Sequence, residues 1–375
     1  MEYIIRTENG QLNRGNWNRI KNCMRKAVRG EKVVVGFLGG SITQGSLSSA
    51  PETCYAYLVY EWWRKTFPEA EVVFINAGIG GTTSQFGVSR VEEHLLKDHP
   101  YFILIEFAVN DDNTEFFQET YEGLIRKTYG DSSKPAVLLM NNVRYDDGGS
   151  AEEIHLEIAK RYELPMVSMR STIWPEVVSG RIEKRSITPD DLHPNDAGHR
   201  LIADVISAFL ESVYRELDTE EQASFLKTGE LPAPITMNAY ENSTRYQNHT
   251  SAPETMGFVA DTKPQEDIRD IFRNGWTASK VGDKIRFSIT GTGVAVQYRK
   301  SIHKPTPIAK VVVDGQDDKA VILDGNFQED WGDCLYIDTV TKHMALQEHI
   351  VEISIIEAHE DDVVPFYLVS VIGSK

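Results

Sequence analysis

The chain has 375 residues, 41% hydrophobic and 25% charged, a size and composition that point to a globular protein with two cores and offer no apolar run long enough to span a bilayer. With 39 Lys and Arg against 56 Asp and Glu the formal charge is −17, which would repel a phosphate backbone and argues against a nucleic-acid partner. Three scattered cysteines (Cys23, Cys54, Cys334) and an opening stretch without a signal-peptide core lead us to expect a cytoplasmic protein without a membrane partner, and a homo-oligomer is compatible with the sequence.

From Lys32 to Leu217 apolar runs of strand length alternate with amphipathic runs of helix length. That alternation predicts a doubly wound α/β domain, a parallel five-stranded sheet with helices on both faces. The strands are predicted over 33–38, 72–75, 101–107, 136–140 and 166–168. The helices are predicted over 55–65, 88–97, 116–129, 152–161 and 196–217.

The first predicted strand runs into Gly39-Gly40-Ser41-Ile42-Thr43-Gln44-Gly45. At the carboxyl edge of a parallel sheet, where ligands bind, glycines on both sides of a serine let the backbone turn sharply and leave the hydroxyl exposed. A Gly-rich turn with a serine cap would read the same way. The second strand ends in Asn76-Ala77-Gly78-Ile79-Gly80-Gly81-Thr82-Thr83-Ser84, a loop able to present amides to an oxyanion. The third runs into Asn110-Asp111, either a side-chain amide facing the same crevice or a plain turn and helix cap. Ahead of the last helix stands Asp190-Asp191-Leu192-His193-Pro194-Asn195. A carboxylate three residues before a histidine can bond one ring nitrogen while the other faces a nucleophile. Asp191 competes for the acid's role, and a zinc site of Asp190, His193 and His199 is the rival reading, although no cysteine or His-Glu-x-x-His pattern accompanies it.

Thr228 to Pro234, with two prolines in three positions, breaks any helix and sets the expected boundary, with residues 1–230 as the catalytic domain and 231–375 as a second domain. Beyond it, short β-rich runs over 284–289, 294–298, 309–313, 320–323, 349–356 and 366–371 are separated by turn residues, the pattern of a smaller all-β sandwich of jelly-roll-like type. Trp276, and Asn326 and Trp331 within Gly325 to Asp333, could meet a ligand or simply pack.

Serine after strand one, glycine after strand two, asparagine after strand three and Asp-x-x-His before the last helix, in that order, resemble the SGNH (GDSL-like) hydrolase superfamily over residues 33–217. The resemblance implies a serine esterase that needs neither metal nor organic cofactor. Ser41 would be the nucleophile, His193 the base and Asp190 its orienting acid. The oxyanion donors would be the amides of Ser41 and Gly81 and the side chain of Asn110. Gly81, five residues after Asn76, fits the family pattern, and Gly80 competes with it. The motif reads Gly-Gly-Ser-Ile-Thr instead of Gly-Asp-Ser-Leu, a form familiar among carbohydrate-active members and unlike a lipid-cleaving lipase.

An SGNH domain followed by a β-sandwich is most similar to bacterial mannan acetyl esterases carrying a family-35-type carbohydrate-binding module. That likeness implies an acetylated oligosaccharide as substrate, with the 2-O-acetyl of mannose as the ester, and Gly40, Asn326 and Trp331 as substrate-binding residues. Acetyl esterases of xylan or pectin fragments, thioesterases or lysophospholipases, and a non-catalytic carbohydrate-binding protein are the alternatives.

Overall fold

The computed structural model describes residues 5–219 and 231–375. The chain divides into two units, Met1–Asn238 and Ala239–Lys375, so the division falls just beyond the prolines of the expected boundary. Thr228, Gly229 and Glu230, part of that helix-breaking stretch, lie outside the described residues.

In the first unit the helices are α1 (Asn18–Val28), α2 (Ser41–Gln44), α3 (Tyr55–Thr66), α4 (Ser84–His94), α5 (Glu115–Tyr129), α6 (Glu152–Arg161), α7 (Ile173–Val178) and α8 (Asp196–Arg215). The strands are β1 (Gln11–Asn13), β2 (Val33–Gly39), β3 (Val72–Gly78), β4 (Phe102–Glu106), β5 (Ala136–Asn141) and β6 (Met166–Ser168). The sheet order is β1-β6-β5-β4-β2-β3. The five expected strands, β2 to β6, are parallel, and β1 adds a short antiparallel edge on β6 that no hydrophobic pattern in the sequence announced.

Strands β2, β4 and β5 are buried along their whole length, which is why each reads as an unbroken apolar run: helices cover both faces. Chain direction across the sheet reverses between β2 and β4, the topological switch point at which open α/β sheets place their ligands. Gly39 at the end of β2 sits in register with Gly78 of β3 and Glu106 of β4, so all three following loops leave the same edge side by side.

Two helix starts differ in how far the sequence marks them. Helix α8 begins where Asn195 accepts a hydrogen bond from the Gly198 amide at 3.1 Å, an N-cap readable from sequence. Helix α4 begins at Ser84, four residues before the expected Val88, because nearly every one of its positions is buried, Arg90 included, and so it carries no polar face to mark its extent.

The second unit holds two antiparallel sheets around one core. One has the order β15 (Cys334–Thr341), β12 (Gly293–Lys300), β17 (Phe366–Ser374), β10 (Trp276–Ala278), β9 (Val259–Ala260), with β7 (Thr244–Tyr246) also on β17. The other runs β14 (Val321–Asp324), β13 (Ile308–Val313), β16 (Gln347–Glu357), β11 (Lys284–Gly291), β8 (Glu254–Met256). Strand β11 alternates strictly, exposing Lys284 and Arg286 and burying Ile285 and Phe287, as its sequence required. Strand β15 escaped the sequence reading because Tyr336, Asp338 and Thr339 break the apolar alternation, yet it pairs with β12 along almost its whole length. Trp276 proves to be packing: it is buried and meets Phe287 edge-on at 5.3 Å.

Candidate active site

Ser41 is the first residue of α2, directly after β2, and only 7% of it is exposed. As the opening residue of a helix its amide has no intrahelical acceptor and is left to donate outward. The short helix is pinned from β3: Asn76 Nδ2 donates to the Thr43 carbonyl at 2.8 Å while Asn76 Oδ1 accepts from the Gly78 amide at 2.9 Å. From the other side, the Thr43 hydroxyl and the Tyr55 phenol meet at 2.8 Å in the core.

His193 Nε2 lies 2.9 Å from Ser41 Oγ, and its Nδ1 lies 2.6 Å from Asp190 Oδ2. The other Asp190 oxygen accepts the amides of His193 at 2.7 Å and Leu192 at 3.0 Å, so the acid is locked to the backbone of the residue whose ring it orients. Partial burial pushes the Asp190 carboxyl up, but the hydrogen bonds from the His193 ring and from these two amides outweigh it and hold the pKa below the usual carboxylate range. Asp191 turns away. It pairs with Lys184 at 2.7 Å and Arg185 at 2.9 Å, which keep its carboxyl low as well.

In the loop after β3 the two glycine amides are differently engaged. The Gly80 amide is given to Gln44 Oε1 at 2.6 Å, whereas the Gly81 amide has no partner among the described residues. Gly81 has φ +67° and open space around its α-carbon, a conformation that suits a residue without a β-carbon. The carbonyls at the ends of β2 and β3 are held by buried Arg90, which donates to Gly39 O at 3.0 Å and Ala77 O at 2.7 Å. Asn110 follows β4, and its side-chain oxygen lies against the α-carbon of Gly40, so Gly40 serves here by admitting Asn110 and not by leaving space of its own. That oxygen is buried without a hydrogen-bond partner. Beneath the loop, burial pushes the Glu106 carboxyl up to about 8.

The structure separates His199 from the rival metal reading. Its Nδ1 accepts from the Tyr55 amide at 3.3 Å, so Nε2 carries the proton and donates to the Ser46 carbonyl at 3.3 Å, and the ring is wholly buried. Burial lowers its pKa to about 4. Asp196, next to it on α8, accepts from the Ser49 amide at 2.8 Å and from the Thr53 hydroxyl at 2.7 Å. Together they tie the segment after the nucleophile to the helix that follows His193. Among the described residues no group of three or more His, Cys, Asp or Glu side chains is placed to hold a metal ion.

In the second unit, Trp331 is 58% exposed, its Nε1 donating to Glu329 at 2.5 Å and its ring standing edge-on to Phe327. Asn326 is engaged in holding its loop to the segment ahead of β13. Its Oδ1 accepts from the Thr306 amide at 3.0 Å, and its Nδ2 donates to Asp324 at 2.8 Å and to the Thr306 carbonyl at 3.2 Å.

The roles of Gln44, Arg90, Asp196 and His199 were not read from the sequence, since each acts on a segment remote in the chain.

Residues 37–201 match the GDSL-like lipase/acylhydrolase family. A crystal structure of a two-domain esterase active on acetylated mannans, co-crystallised with mannopentaose, is 56% identical to this chain, covers 100% of it and 99% of its own length, and superposes with a TM-score of 0.94. A second crystal structure of a two-domain esterase active on acetylated mannans is 56% identical over 99% of both chains, with a TM-score of 0.95. Thioesterase 1/protease 1/lysophospholipase L1 of Escherichia coli K12 is 27% identical over 183 residues, which is 46% of this chain and 81% of that protein.

Proposed function

The chain belongs to the GDSL-like lipase/acylhydrolase (SGNH) family, and from that premise we propose that it is a serine esterase removing O-acetyl groups from acetylated mannooligosaccharides, with the 2-O-acetyl of mannose as the ester. The observation that carries the reading is the unbroken line from Asp190 through His193 to Ser41, set beside two backbone amides, of Ser41 and Gly81, that the fold leaves unclaimed.

The reaction follows from those positions. His193 Nε2 takes the Ser41 proton as Oγ attacks the acetyl carbonyl, and the carbonyl oxygen becomes an oxyanion facing the amides of Ser41 and Gly81 and the Asn110 side chain. Asp190 holds the ring in the tautomer that accepts at Nε2 and stabilises the imidazolium. Collapse breaks the bond to the sugar oxygen, which leaves with the proton from His193. Water, deprotonated by the same nitrogen, then attacks the acetyl-serine; acetate departs and Ser41 recovers its proton.

A sugar ester as substrate is supported by the likeness, 56% identical over the whole chain, to two-domain esterases active on acetylated mannans. The likeness to a thioesterase/lysophospholipase is weaker, 27% identical over 46% of the chain, which favours the sugar ester over long acyl esters. The all-β unit is, on this reading, a carbohydrate-binding module, with exposed Trp331 as its sugar-facing aromatic. A cytoplasmic location is supported by three cysteines that are buried and unpaired.

Mass spectrometry of acetylated mannan, xylan and pectin oligosaccharides before and after incubation tests the proposal. Acetyl loss should be fastest from mannan fragments. Equal or faster loss from xylan or pectin would overturn the mannan assignment, and turnover restricted to long acyl esters would overturn the sugar esterase.

A further inference from the structure

Asp111, the neighbour of Asn110 in the chain, is buried, and its two oxygens reach in different directions. Oδ1 accepts from the Ser84 amide at 2.9 Å; Oδ2 accepts from His155 Nε2 at 3.2 Å. Ser84 is the first residue of α4 and lies three positions after Gly81. One carboxylate therefore joins the segment that carries the Gly81 amide to the residue adjoining Asn110. His155 is itself fixed: its Nδ1 stands 3.2 Å from Asn141 Oδ1, Tyr121 stacks on its face at 3.6 Å and 12°, and neither ring is exposed.

Resting on the esterase reading above, we propose that Asp111, braced by His155, is a positioning residue of the oxyanion hole that sets the spacing between the Gly81 and Asn110 donors. An oxyanion hole works only where its donors already stand at hydrogen-bond distance from the place the oxyanion will occupy, and a shift of about half an ångström is enough to spoil it. Two donors on separate loops have no covalent reason to keep that spacing. Asp111 provides the connection, and buried His155 gives the carboxylate a second donor, so that it is not left with an unsatisfied oxygen. Asp111 itself touches no substrate.

Removing Asp111 outright would leave His155 buried without its partner and endanger the fold, so the primary test works from the other end of the bond. Ser84→Pro deletes the amide that Asp111 accepts. It should fold, because proline is favoured at the first position of a helix and the preceding Thr83 is already extended, with φ −107° and ψ 174°. Ser84→Ala is the control, losing only the hydroxyl contact with Thr120. On a small aryl acetate we expect kcat of Ser84→Pro on the order of tenfold below Ser84→Ala with KM unchanged. Affinity for a boronic acid that forms a tetrahedral adduct on Ser41 should fall by the same factor, since only the transition-state geometry is spoiled. Equal kcat in the two variants, or a loss confined to KM or to thermal stability, overturns the positioning role while leaving the esterase intact. If the parent shows no turnover that Ser41→Ala removes, the esterase reading has failed first, and this inference with it.

Discussion

Asn110 and Gly40 are matched surfaces: the side-chain oxygen of Asn110 occupies the place a β-carbon on residue 40 would need. Gly40→Ala should therefore push the amide out of the oxyanion hole and reproduce Asn110→Ala, with kcat reduced by roughly 10²-fold and KM little changed. The double variant should be no worse than Asn110→Ala alone, because both changes remove one interaction. Steady-state kinetics on an aryl acetate check it, and full multiplication of the two losses would mean that Gly40 acts by another route.

Ser41→Ala should abolish hydrolysis with the fold intact, and His193→Ala should be comparably severe. Asp190→Ala should be milder, since solvent can partly restore the ring's orientation. Asp191 is the control, its carboxylate being held by Lys184 and Arg185. It has φ +69°, so the substitution to make is Asp191→Asn, which tolerates that backbone. The expected kcat is within about threefold of the parent, as for a surface change away from the reacting atoms. A loss exceeding that of Asp190→Ala would move the acid's role to Asp191.

The buried His199 makes stability depend on acid. In the unfolded chain its ring titrates near the ordinary histidine value of about 6.5, while burial in the fold lowers it to about 4. As pH falls from about 6.5 the unfolded chain takes up the proton first. Stability should then decline down to about pH 4 and gain no further slope from this group below that, a loss of roughly 3 kcal/mol in total. Denaturant unfolding at a series of pH values should show that His199→Asn, less stable at pH 7, approaches the parent as pH falls towards 4. A gap that stays constant between pH 7 and 4 would mean that the ring does not titrate this way.

Trp331 and Asn326 should part company on substitution. Trp331→Ala removes an exposed ring able to stack on a sugar, so kcat/KM on acetylated mannooligosaccharide should fall several-fold while aryl acetate turnover holds. Asn326→Ala removes three hydrogen bonds, one to Asp324 and two that tie its loop to Thr306, and should show chiefly as lost thermal stability. If Trp331→Ala leaves oligosaccharide turnover untouched, the ring has no part in binding.

Much of the site was legible because its motifs are local. Ser41, the Gly80-Gly81 pair and Asn110 each follow an apolar run that could be read as a strand, and Asp190 lies three residues from His193, close enough for one loop to form their bond. Parallel strands with aligned ends then require that these loops share an edge. What the sequence by itself determined is this set of residues and the sheet that carries them. Other features depend on packing between distant segments. The bond between His193 and Ser41 spans 152 residues. The difference between the Gly80 and Gly81 amides rests on a side chain 36 residues away, Gln44, whose oxygen takes one amide and leaves the next. Helix α4 and strand β15 were misplaced or missed because burial and pairing hold them where their own patterns give no sign. The bracing of the Gly81 loop by Asp111, and of Asp111 by His155 across 44 residues, was likewise decided only by the tertiary structure. Apart from helix α4, whose burial erased its pattern, the physical reason is shared. A buried polar group must find a partner, and the sequence names the group without saying which remote segment will be close enough to supply it.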